Sequence, residues 1–125
     1  MADSRNERYR RLLAKQLAMN EQTWRALLGH GITSDSDVRL DFAFRAPNET
    51  AALGLKELLQ DQTDYSVTVQ SGGSLSRPQW TVAGSTQPTS ISPEILDQWV
   101  DWMVAAGLER DCEFDGWGTE INPVA

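Results

Sequence analysis

Val38-Arg39-Leu40-Asp41-Phe42-Ala43-Phe44-Arg45-Ala46-Pro47-Asn48-Glu49 decides the architecture. Val38, Leu40, Phe42 and Phe44 alternate with Arg39, Asp41, Ala43 and Arg45, the period of a half-buried strand over 37–46. Pro47 stops it, because proline lacks the ladder donor. Asn48 supplies a capping oxygen for a helix over about 49–62, with Ala52, Leu55 and Leu59 on one face and Leu58 beside them. Strand into helix at this point sets up a crossover, so the chain must return to the same sheet.

It does so at Tyr65, Val67 and Val69, which alternate with Ser66, Thr68 and Gln70. Residues 71–78, Ser-Gly-Gly-Ser-Leu-Ser-Arg-Pro, read as a hairpin loop. They are not a phosphate cradle, since no Gly-Lys-Ser/Thr ending or following helix accompanies the glycines. Gln79–Ala83 forms the third strand, and residues 84–92 are a second loop. Ser92-Pro93-Glu94 then starts a helix with a capping oxygen, a proline in the first turn and an early acid. Ile95, Trp99, Met103 and Ala106 make its expected buried stripe, with Leu96 and Val100 alongside and Trp102 at the core edge. Gly107 is its expected stop. Residues 109–115 are the expected fourth strand, with Cys112 and Phe114 inward and Glu109, Asp111, Glu113 and Asp115 outward.

Upstream, residues 4–29 read as helix with Tyr9, Leu13, Leu17, Trp24 and Leu28 on one stripe. Asn20-Glu21-Gln22-Thr23 resembles an N-cap with an acid in the first turn, which places a break at Asn20. The chain divides accordingly into a basic helical extension, 1–19, and a domain, 20–125. The domain order is strand–helix–strand–strand–helix–strand. This predicts an α+β, ferredoxin-like βαββαβ fold: a four-stranded antiparallel sheet in spatial order 4-1-3-2, with an additional N-terminal helix. That helix packs beside the other two or across the open face.

Composition limits the function classes. The 125 residues carry a net charge of −7, which argues against a nucleic-acid backbone or an anionic membrane as partner and favours a basic protein surface. The charge is uneven: residues 1–25 hold six basic and three acidic side chains, whereas residues 94–120 hold eight acids against Arg110. One cysteine gives no internal disulfide, and no apolar run approaches the ~18 residues of a membrane helix, so the expected location is cytoplasmic. RNA-recognition modules share the topology but stack bases on open-face aromatics; here Phe42, Phe44 and Trp80 fall in the inward sets. His30 lies between glycines without ligand-spaced partners, and Cys112 sits among acids that raise a thiol pKa. No Ser/His/Asp set, CxxC or metal-spaced cluster occurs. The expectation is a non-enzymatic chain with no catalytic residues, cofactor or metal.

Phe114-Asp115-Gly116-Trp117-Gly118-Thr119 adds more. An alternating acidic strand running into this turn resembles the end of the RraB family, protein regulators that bind and inhibit endoribonuclease E. The helix closed by Leu27-Leu28-Gly29-His30-Gly31, the Phe42-Ala43-Phe44 strand, the Tyr65-Ser66-Val67 start and the long helix before the last strand fall in the family's order, over roughly residues 20–122. The resemblance implies a non-enzymatic, cytoplasmic bacterial protein that contacts endoribonuclease E or its degradative complex. Glu109, Asp111, Glu113, Asp115, Trp117 and Glu120 are the candidate contact residues, and tryptophan is a favoured interface anchor. The structural reading of Asp115–Thr119 is a lock: the glycines permit positive φ while Trp117 covers the last helix. A second reading of the whole chain is a self-associating or adaptor domain with an unrelated partner, its basic N-terminal helix pairing with an acidic surface; where that surface is its own copy's, the result is a homo-oligomer.

Overall fold

The structure is a computed structural model that describes residues 2–33, 36–73 and 78–119. Its elements in order are α1 (Ala2–Gly29), β1 (Asp37–Val38), β2 (Asp41–Ala46), α2 (Glu49–Gln62), β3 (Ser66–Gly73), β4 (Pro78–Ser85), β5 (Thr89–Ser90), α3 (Pro93–Glu109) and β6 (Glu113–Gly118). The α+β class is as expected. Four strands form an antiparallel sheet in the order β3-β4-β2-β6, and β1 pairs with β5 in a second, two-stranded sheet.

Local chemistry accounts for the starts. Asn48 and Ser92 cap α2 and α3 by accepting from the amides of Ala51 and Ile95, at 2.8 and 3.2 Å, so each satisfies one of the helix's orphan donors. The inward sets of β2, β4 and β6 supply Phe42, Phe44, Val82 and Phe114, which pack with Ala52, Leu55 and Leu59 of α2 and Val100, Met103 and Val104 of α3. A second cluster joins Leu27, Leu40, Ile91 and Leu96. Trp99 and Trp117 border both clusters.

Several expectations are corrected. The single strand over 37–46 is two pieces. Leu40 leaves the ladder because Thr86 takes its backbone: the Thr86 amide donates to the Leu40 carbonyl at 2.9 Å, and the Thr86 hydroxyl accepts from the Leu40 amide at 3.1 Å. The expected loop at 71–78 shrinks, since β3 continues to Gly73 and β4 begins at Pro78; residues 74–77 lie outside the described residues. The stripe of α3 is rotated, with Leu96, Val100, Met103 and Val104 buried and Ile95 exposed. Gly107 does not stop α3. It sits inside the last turn because the chain is tight there: a Cβ would lie 2.8 Å from the Phe44 ring and 3.0 Å from the Cys112 carbonyl oxygen. The fourth strand runs 113–118 rather than 109–115.

No break occurs at Asn20. α1 continues through it, and the buried stripe includes two polar residues, Gln16 and Asn20, with Leu27 rather than Leu28 at its end. The helix lies beside α3 and along β6. That strand is a sheet edge, and unpaired edges are usually covered. Here the Gln16 amide reaches the Phe114 carbonyl at 3.5 Å.

Candidate functional site

The Asp115–Thr119 segment is a β-bulge, not a turn. Phe114 pairs with Phe44, but Gly116 pairs with Ala43, which leaves Asp115 as the extra residue. Gly116 takes φ 144 at this point, a conformation that favours glycine. The extra residue reverses the alternation. Without it Trp117 would face the open side; with it Trp117 stands opposite Phe42 and points to the helices.

What Trp117 meets there is specific. Its ring packs edge-on against Trp99, with centroids 6.2 Å apart, and Trp99 in turn packs on Phe114 and Phe42. The Trp117 indole N–H donates to Asn20 Oδ1 at 2.7 Å, and Asn20 Nδ2 donates to Asp97 Oδ1 at 3.0 Å. An indole N–H can only donate, so it fixes the amide orientation and leaves the NH2 for the carboxylate. Asn20 is 3% exposed. Three elements remote in sequence, β6, α1 and α3, are thus tied by one side chain. The Thr119 hydroxyl closes the segment by donating to the Arg39 carbonyl at 2.7 Å.

The acidic candidates do not share one strand face. Glu109 ends α3, and Asp111 is in the following turn with φ 61; both are exposed. Glu113 and Asp115 are on β6, where each faces a cation: Arg8 at 3.8 Å and Arg45 at 3.5 Å. Glu120 lies outside the described residues. Trp117 is half-buried in the lock just described. The most exposed tryptophan among the described residues is Trp102, at 38%, which the helical periodicity puts only at the core edge.

Two of the five cations in the first half of α1, Arg5 and Arg8, find a carbonyl and an acidic partner within their own chain. Arg5 donates to the Leu108 carbonyl at 2.8 Å, near the C-terminal end of α3 where cations are favoured, and Arg8 meets Glu113. The Tyr9 hydroxyl donates to Asp101. That hydrogen bond, together with burial and the carboxylate's charge, raises the phenol's pKa. Burial, and then the charge of Asp111, push the Cys112 thiol up to about 11. The thiol is therefore protonated and unreactive near neutrality. Among the described residues, no group of three His, Cys, Asp or Glu side chains is placed to hold a metal ion, and no helix is long and apolar enough to cross a membrane.

A family model described as Regulator of ribonuclease activity B matches residues 17–119. The chain belongs to the RraB family. The match contains every residue of the Trp117–Asn20–Asp97 connection and the whole bulged strand. By that description, RraB proteins are regulators of ribonuclease activity. No curated protein matches the chain.

Proposed function

We propose that this RraB protein acts on endoribonuclease E or its degradative complex, slowing RNA cleavage by binding through an acidic surface without chemistry of its own. The observation that carries the proposal is the family match over residues 17–119. The charge agrees in kind: a chain of −7 is suited to the basic, RNA-binding segments of a nuclease assembly. The scaffold we read as ferredoxin-like, the four-stranded sheet with α2 and α3, to which α1 is added. Residues 1–19 we read as a basic extension docked on the domain from Asn20 onward.

The open sheet face supports a protein partner over RNA. Its described residues include Asp41, Ala43, Arg45, Thr68, Thr81 and Ala83, with no aromatic on which a base would stack. Co-purification tests the proposal. Tagged protein expressed in its native host is expected to retain endoribonuclease E through a moderate-salt wash and to lose it at high salt. Purified components that show no association at low salt refute it.

A further inference from the structure

Resting on the reading just given, we propose that the groove between α2 and α3 receives a cationic segment of the regulated nuclease, with a large apolar side chain of that segment seated on Trp102 and its basic groups on Asp61 and Glu109. α2 contributes Leu58 and Asp61 at helical spacing, and α3 contributes Trp102, Ala105, Ala106 and Glu109. Because residues 105 and 106 are alanines, the line between Leu58 and Trp102 is left unfilled. The result is an open cleft of about 420 Å³, within the ~300–1,000 Å³ range of ligand-binding clefts.

Two observations give this groove an occupant. The first is Trp102 itself. Trp99 and Trp117 satisfy their indole N–H groups on Tyr65 and Asn20, whereas those of Trp24, Trp80 and Trp102 have no partner among the described residues, and of these three Trp102 is the most exposed, at 38%. An exposed indole beside a small-residue floor is the arrangement that anchors an amphipathic helix in a groove. The second is charge. Glu113 and Asp115 face Arg8 and Arg45, but Asp61 and Glu109 are exposed and have no ion-pair partner among the described residues. The cation that borders the groove, Arg110, is turned to α2, its Nε donating to the Gly54 carbonyl at 3.4 Å. The groove therefore offers the exposed ring of Trp102 beside two unpaired carboxylates and one cation, Arg110, a net negative charge that favours a cationic partner over an acidic one.

The test uses the full chain, 15N-labelled, with the Trp102 indole signal assigned by its loss in Trp102→Phe. A synthetic Leu/Lys amphipathic helical peptide is expected to move that signal and the amides of 58–62 and 102–109. The matching Leu/Glu peptide is expected to leave them in place, and Asp61→Lys/Glu109→Lys to reverse the preference. With endoribonuclease E as probe, Trp102→Ala and the double charge reversal are each expected to weaken binding about tenfold or more, and Glu49→Lys, at the start of α2, to have no effect. A Leu/Lys peptide that leaves Trp102 unmoved overturns the groove. So does nuclease binding indifferent to both groove variants, although the functional reading then stands. A nuclease that fails to bind the wild type, with the peptide result intact, removes the functional reading and keeps the groove's preference for cationic segments. Self-association abolished by the double reversal makes the occupant a second copy and overturns the proposal.

Discussion

Replacing Asn20 separates two contributions that the fold joins in one side chain. Asn20→Ala removes the acceptor of the Trp117 indole and the donor to Asp97. Asp97 is exposed and regains water; the indole N–H is half-buried and does so poorly. An unpaired buried donor costs about 1–3 kcal/mol, and the void left by the amide adds to it, so the loss is about 2–3 kcal/mol. For a domain of this size that lowers the melting temperature by roughly 8–12 °C. Asn20→Asp is more informative. It keeps an oxygen for the indole but sets a carboxylate at the 3.0 Å position facing Asp97. Two carboxylates so close cannot both ionise cheaply, and the folded-state pKa of the pair rises. A raised carboxyl pKa gives stability that is present at low pH and lost as pH climbs through the raised value. Thermal melts should therefore show Asn20→Asp at least as destabilised as Asn20→Ala near neutrality, with its gap from the wild type narrowing below the ordinary carboxylate range of about pH 4. Equal stability of all three proteins at neutrality, or an Asn20→Asp gap that does not change with pH, would refute the Trp117–Asn20–Asp97 connection.

Gly107→Ala should lower the urea midpoint by the equivalent of about 1–3 kcal/mol, because its Cβ meets the Phe44 ring at 2.8 Å inside a filled core. Gly116→Ala forces an alanine to φ 144 and should cost about 1–3 kcal/mol, with the Trp117 indole signal broadened as the bulge relaxes. At high pH the Cys112 thiol, raised from 9.0 to about 11, favours the folded state below the lower value and loses that contribution as pH rises through the upper one. Alkaline titration of wild type against Cys112→Ala should show the wild type losing roughly 3 kcal/mol more over that window. A chain shortened to begin at Asn20 loses Tyr9, Leu12 and Leu13 from the core and Gln16 from the β6 edge; light scattering should show it aggregating where the full chain does not.

The strands and helices were legible wherever side chains carried a period. Phe42 and Phe44 alternate with polar residues, and Asn48 and Ser92 mark helix starts by chemistry that acts within one turn, so β2, α2 and the start of α3 were readable. What escaped is what depends on distant partners or missing side chains. Asn20 has the local look of a cap, yet its partners lie 77 and 97 residues away. Glu109 and Asp111 continue the alternation of Glu113 and Asp115, but the first belongs to the helix and the second to a turn. The bulge is hidden because Gly116 and Gly118 have no side chain to carry a phase: the glycines allow Trp117 to fold onto the last helix, but the pattern does not show that a register shift at Asp115 is what turns it. Gly107 reads as a stop because a glycine required by a close approach and a glycine required by a cap are the same letter. Trp102, at the edge of a stripe, became exposed because the stripe itself rotated toward Leu96 and Val104.

The most direct measurement of the central claim is the rate at which purified endoribonuclease E cleaves a model RNA as this protein is titrated in. Regulation by binding predicts a saturable fall in rate, relieved by salt and reproduced by a second RNA of unrelated sequence, with no RNA bound by the protein alone. A cleavage rate unchanged at saturating protein, or inhibition that follows from the protein binding the RNA, would contradict it.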